Sequence, residues 1–178
     1  MEAIKDIGLS KQIKNIILTI VGTLILTLSA KIQTPLAPVP VTMQTFAVLF
    51  LGMAFGYKIA TASVILYLVQ GAIGIPVFAK GGGLIYFQGP TSGYLFGFII
   101  GAFVSGYVKI NSGTLLTFTK LVFSVSFIYL FGLIWLYTFM GFEKSFFEIF
   151  KIGAQPFLLA ELLKILILAI LVKTKKII

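Results

Sequence analysis

Two ionisable residues lie where the sequence otherwise promises only hydrocarbon. They are Glu161 and Lys164, in an apolar run that opens at Pro156 and continues to about residue 172. Proline suits the first turn of a helix, where its missing N–H is no loss. Glu161 then falls five residues in, about 8 Å along the axis at a rise of about 1.5 Å per residue. Lys164 follows one turn deeper on the same face. An ionised group near the centre of a membrane helix costs about 2.5–3.5 kcal/mol, so such a pair must face a cavity or each other. Two readings are open: a structural ion pair that locks two helices, or a ligand site, which intramembrane ionisable residues commonly mark. A carboxylate accepts two N–H bonds and an ammonium donates to a carbonyl or carboxylate, so a urea, lactam or amino-acid head group would satisfy both.

Other polar residues cluster in loops. The stretch Lys80-Gly-Gly-Gly-Leu-Ile-Tyr-Phe-Gln-Gly-Pro-Thr-Ser-Gly-Tyr94 holds glycines that allow close backbone approach and a Gly-Pro turn. Its Thr91, Ser92 or Gly93 can cap the next helix and leave N–H groups pointing at an anion. No Gly-Lys-Ser/Thr follows the triple glycine, so it is not a phosphate loop; a flexible loop and a ligand lid both fit it. Three prolines stiffen the stretch from Pro35 to Pro40, after which Thr42 and Gln44 enter an apolar run. Helix capping and interhelical hydrogen bonds are the plain explanation of those two side chains. Tyr86 and Tyr94 suit an interfacial aromatic belt, and Trp135 and most of the phenylalanines suit lipid or core.

The elements that must position these groups are membrane helices. The 178 residues are 59% hydrophobic and 11% charged, with a mean hydropathy of +1.10, against about 45–50% and 25% in soluble domains. The expected fold is an all-α integral membrane protein of one domain, with six spans at about 13–30, 42–56, 59–78, 93–108, 115–140 and 156–172. The first run lacks a small-residue cleavage site and reads as a span rather than a signal peptide. All fourteen basic residues are lysines, giving a net charge of +9. They mark the ends of apolar runs instead of forming a basic patch laced with aromatics, which excludes a nucleic-acid partner and implies membrane lipid. Nine lysines fall on the side of the termini and four (Lys31, Lys80, Lys144, Lys151) on the other, so both termini are expected in the cytoplasm. The chain has neither Cys nor His, which removes thiol and imidazole catalysis and the usual metal ligands; no metal, no cofactor and no enzymatic activity are expected.

Small residues recur every four positions in three runs. Gly93, Gly97, Gly101 and Ser105 share one face, as do Gly52 and Gly56, and as do Thr19, Thr23 and Thr27 with Ala30 just beyond. Packing within the bundle and contact with another subunit both explain such stripes.

The segment Val39-Pro-Val-Thr-Met-Gln-Thr-Phe46 closely resembles the VP-x-T-x-Q signature of the BioY family, the biotin-specific substrate-binding (S) components of energy-coupling factor transporters. Gly71-Ala-Ile-Gly-Ile-Pro-Val-Phe78, Gly89-Pro-Thr-Ser-Gly-Tyr-Leu-Phe-Gly-Phe98 and the stretch from Pro156 to Lys164 resemble further family blocks in the family's order. The resemblance implies six helices in a bacterial or archaeal cell membrane and biotin capture near the outer face. It also implies docking onto a transmembrane coupling protein and two cytoplasmic ATPases. By similarity, Glu161 and Lys164 bind the ureido head group. Thr42, Gln44, Thr91 and Tyr94 complete the expected ligand shell, and Lys80 and Gln88 are the candidates for the valerate carboxylate. The stripe Thr19, Thr23, Thr27, Ala30 stands where the family docks its partner. The family's acid is usually Asp; Glu161 adds a methylene, which moves the carboxylate by about 1 Å.

One rival function is a self-sufficient, proton-coupled secondary transporter of a small polar metabolite with Glu161 as the proton carrier. A cation one turn away opposes proton uptake there. A purely structural protein is the other rival, and it predicts no ligand.

Overall fold

Apolar sequence without interior proline makes long helices wherever the chain can bury or solvate its backbone in no other way. The computed structural model describes residues 10–36, 38–108 and 113–173, with residues 172 and 173 described by backbone alone. Its elements, in order, are α1 (Lys11–Lys31), β1 (Gln33–Thr34), β2 (Val41–Thr42), α2 (Gln44–Ala72), a 3-10 turn (Leu84–Gln88), α3 (Ser92–Ser105), α4 (Thr114–Phe139), α5 (Phe146–Gly153), a second 3-10 turn (Gln155–Phe157) and α6 (Leu158–Lys173). Among the described residues, four helical stretches are long and apolar enough to cross a membrane: Lys11–Lys31, Gln44–Ala72, Thr114–Phe139 and Phe146–Leu171; Ser92–Ser105 is shorter. Lys5, Lys109, Lys175 and Lys176, which entered the charge count, lie outside the described residues.

α2 is not a straight rod. Gly56, at φ 78° and ψ 167°, interrupts it with a conformation that only glycine adopts readily. The two arms, 44–55 and 57–72, fold back on one another. Gln44 and Tyr67 are hydrogen-bonded at 2.8 Å, whereas in a continuous helix 23 residues would separate them by about 34 Å. Leu51 and Ser63, one from each arm, both crowd Gly22 of α1. Two of the expected spans, 42–56 and 59–78, thus correspond to the two arms. The second arm stops at Ala72 instead of residue 78, because Gly74 takes φ 100° and Pro76 follows.

The glycine stripe of α3 packs inside the molecule. A Cβ on Gly93 would strike Trp135 and the Phe131 carbonyl, and one on Gly97 or Gly101 would strike Ile128, so these glycines let α3 lie directly on α4. Ser105, at the end of the stripe, instead meets Gly52 of α2. α3 therefore sits between α2 and α4, α1 covers α2, and α6 closes against α4 and the first arm of α2.

Two elements depart from the sequence expectation. The proline-stiffened loop after α1 closes as a small antiparallel ladder, Gln33 opposite Thr42 and Thr34 opposite Val41. The stretch before Pro156 holds a separate helix, α5. Ser145 accepts from the Glu148 backbone N–H while the Glu148 carboxylate accepts from the Ser145 N–H, a reciprocal cap that stabilises so short a helix. The final helix accordingly begins at Leu158, with Pro156 in the 3-10 turn ahead of it.

Candidate functional site

The second 3-10 turn delivers Glu161 into the first turn of α6, where the positive end of the helix dipole favours a carboxylate. Glu161 and Lys164 are both buried, 5% and 6% exposed. Lys164 Nζ donates to Glu161 Oε1 at 2.7 Å, to the Thr42 carbonyl at 2.6 Å and to Thr45 Oγ1 at 3.1 Å. An ammonium has three N–H groups, so all are used. Thr45 Oγ1 in turn donates to Glu161 Oε1 at 2.9 Å. The other carboxylate oxygen, Glu161 Oε2, is buried and accepts no hydrogen bond from the protein. An unpaired buried acceptor costs about 1–3 kcal/mol, more when charged. The phenol of Tyr129 is the electrostatic neighbour of this carboxylate on the facing helix.

Glu161 is also one of the residues that line a cavity. About 560 Å³ of space, counting the part open to solvent, is enclosed by the β2 approach (Val39, Pro40, Val41, Thr42), Gln44 and Thr45 of α2, Phe78 and Ala79, Tyr86, Thr91, Tyr94, Leu95 and Phe98, Ile128 and Tyr129 of α4, Phe157 and Glu161. Six of the seventeen lining residues are aromatic. Phe78 packs on Tyr67, Tyr86 and Phe87 with ring centres 4.7–5.5 Å apart, and Tyr129 stands edge-on to Tyr94 at 5.9 Å. Tyr94 is anchored by its hydroxyl, which donates to the Gly153 carbonyl at the end of α5 at 2.8 Å. Gly132 and Gly153 leave the room its ring needs.

Hydrogen bonds tie the head of the site to the neighbouring loop. Thr42 Oγ1 donates to Gln44 Oε1 at 3.2 Å, Gln44 Nε2 donates to Tyr67 Oη at 2.8 Å, and the Tyr67 hydroxyl donates to the Val77 carbonyl at 3.3 Å. Beside that loop, Lys31 Nζ donates to the Phe78 carbonyl at 2.6 Å and Gln33 Nε2 to the Ala79 carbonyl at 3.0 Å.

Of the residues singled out from sequence, Glu161, Thr42, Gln44, Thr91 and Tyr94 line this cavity together. Lys164 stands behind Glu161, outside the lining, with its donors spent. Lys80 and Gln88 are exposed and outside the lining. In the α1 stripe, Thr23 and Ala30 are buried against the rest of the molecule, and Thr19, Thr23 and Thr27 return their hydroxyls to α1 carbonyls. Thr19 and Thr27 are half-buried, and Ile13, Ile16, Ile17, Ile20, Val21, Leu24 and Leu28 of α1 are exposed. Thr45 and Tyr129 were not singled out as site residues. Thr45 carried a signal, since it lies one turn beyond Thr42 and next to Gln44; Tyr129 is one of two tyrosines in an apolar helix, and nothing in its spacing marks it.

A multi-pass helical membrane protein whose buried carboxylate lines a cavity together with aromatic side chains is built as a membrane solute-binding protein. The chain belongs to the BioY family, whose model matches residues 3–177. It is 38% identical over 136 residues to a probable biotin transporter BioY of Pyrococcus horikoshii, covering 76% of this chain and 79% of that protein. It is 35% identical over 151 residues to a biotin transporter BioY of Rhizobium etli, covering 75% and 76%. Its fold matches the crystal structure of the S-component for biotin from an ECF-type ABC transporter with a TM-score of 0.80, at 21% identity over 94% of each chain.

Proposed function

We propose that this chain is a biotin-capturing S component, which binds biotin at the outer membrane face and passes it inward with an ATP-driven module of a transmembrane coupling protein and two ATPases. The observation that carries this reading is Glu161 Oε2, an acceptor without a donor at the head of an aromatic cavity. A ureido ring brings an N–H to that oxygen, and its fused sulfur ring is apolar enough for the Tyr94, Tyr129 and Phe157 walls. Lys164 serves the carboxylate from behind: it holds Oε1, so that Oε2 faces the ligand. Thr42, Gln44 and Thr91 supply the remaining polar edges of the same space. Lys80 and Gln88 would reach the ligand only through movement of their loop.

In this reading the two arms of α2 cross the membrane separately, which makes six crossings with α1, α3, α4 and α6 and places both termini in the cytoplasm. The fold-back at Gly56 supports that count. The close Glu161–Lys164 pair weighs against a proton carrier at Glu161.

Calorimetry of biotin binding to the detergent-purified protein is the test. Wild type is expected to bind biotin tightly. Glu161→Gln and Lys164→Ala are each expected to lose about 2–5 kcal/mol of affinity, because each breaks a buried charge pair. Unchanged affinity in both variants would move the site elsewhere, and absence of binding by the wild type would remove biotin as the substrate.

A further inference from the structure

We propose that Lys31 is the cation that recognises the ligand's carboxylate, an inference that rests on the biotin reading above and adds the residue that selects the acidic tail. The chain contains no Arg and no His, so only lysine can offer a full positive charge to an anion. Among the described lysines, two have their ammonium hydrogen-bonded to a residue of the cavity wall. Lys164 is one, and its three donors are already committed to Thr42, Thr45 and Glu161. Its nearest charge is also a carboxylate, which would repel a second one.

Lys31 is the other. Its Nζ donates to the carbonyl of Phe78, a wall residue, at 2.6 Å. Among the described residues it has no further hydrogen-bond partner, which leaves two N–H groups for an anion. The backbone it leans on is pinned at the next residue, where Gln33 Nε2 holds the Ala79 carbonyl. It is pinned again by the paired Phe78 and Gly81. The ammonium is thus fixed beside the wall by a main-chain carbonyl rather than by a carboxylate. No carboxylate among the described residues pairs with it, and its side chain is exposed. Lys80, which rides the turn between Phe78 and Gly81, is like Lys31 exposed and outside the lining, but no hydrogen bond among the described residues ties its ammonium to the wall.

A binding comparison of biotin with its neutral primary amide, on the full-length protein in detergent, separates charge recognition from general damage. Wild type should prefer the acid over the amide by at least tenfold. Lys31→Gln should lose at least tenfold for biotin and keep its affinity for the amide, so that the preference disappears. Lys80→Gln should retain the wild-type preference. Equal loss of both ligands in Lys31→Gln would show that the residue only braces the Phe78 carbonyl, and would overturn the proposal. So would an unchanged preference in Lys31→Gln, a preference abolished in Lys80→Gln, or a wild type that binds acid and amide alike. A wild type that binds neither ligand would instead overturn the biotin reading, and this inference with it.

Discussion

Thr45 sits between the two buried charges and touches both: its hydroxyl donates to Glu161 Oε1 and accepts from Lys164. Removing it leaves the ion pair in place but lets the carboxylate turn, so that Oε2 is no longer held toward the cavity. Thr45→Val keeps the shape of the side chain and deletes only the hydroxyl. Hydrogen bonds to charged groups are worth about 1.5–3 kcal/mol, and the expected result in a biotin titration is a loss of affinity of about tenfold or more, with Thr45→Ser restoring most of it. An unaltered Thr45→Val would mean that Lys164 alone orients the carboxylate. At this scale the sequence was informative where residue types were improbable. An acid and a lysine inside an apolar run announce themselves through their desolvation cost. Their division of labour did not show, because nothing in the spacing of Glu161 and Lys164 says that all three ammonium donors turn inward to the Thr42 carbonyl, Thr45 and Glu161.

Helices were legible from their apolar runs, and their contacts less so. The stripe of Gly93, Gly97 and Gly101 could have faced a partner; it faces α4, at a separation that only glycine permits. A methyl group on Gly97 would lie 2.8 Å from Ile128 Cα and 3.0 Å from its carbonyl oxygen, both backbone atoms that cannot swing away. Gly97→Ala is therefore expected to push α3 off α4 and destabilise the protein by about 1–3 kcal/mol, as overpacked cores do. A lowered melting temperature in detergent would report it; unchanged melting would mean that the α3–α4 seam yields. α5 illustrates a missed element. Its reciprocal cap is written in the sequence as Ser145 followed three residues later by Glu148, but the pattern lies in a stretch otherwise read as a connector. The pairing of β1 with β2 had no such signature, since two-residue strands carry no periodicity to detect.

Across the whole molecule, α1 runs about 31 Å from Lys11 to Lys31, and so carries the chain from the end nearest the N-terminus to the end where the cavity lies. The orientation proposed above places those two ends on opposite sides of the membrane. The chain has no cysteine of its own, so single introduced cysteines report cleanly. In intact cells, a membrane-impermeant maleimide should label Ile85→Cys, on the exposed 3-10 turn near the cavity. It should reach Ser10→Cys, ahead of α1, only after the cells are opened. The reverse pattern would invert the orientation, and labelling of both positions in intact cells would break the proposed count of crossings. Composition gave the membrane and apolar runs gave most of the helices; the fold-back that brings Gln44 to Tyr67 depends on one backbone angle at Gly56, which hydropathy does not register.

The bonds from Lys164 to the Val77 carbonyl have a polarity. The ammonium gives to the backbone of Thr42, the Thr42 hydroxyl gives to the Gln44 amide oxygen, the amide nitrogen gives to Tyr67, and Tyr67 gives to Val77. Every donor points away from the positive charge, and each link polarises the next in the same sense. The peptide that precedes Phe78 is therefore the far end of a relay that starts at the hydroxyl of Thr42, the residue whose carbonyl holds the buried cation. The head of the cavity and the loop at its rim are thereby joined through Thr42, Gln44 and Tyr67, although they stand on different elements.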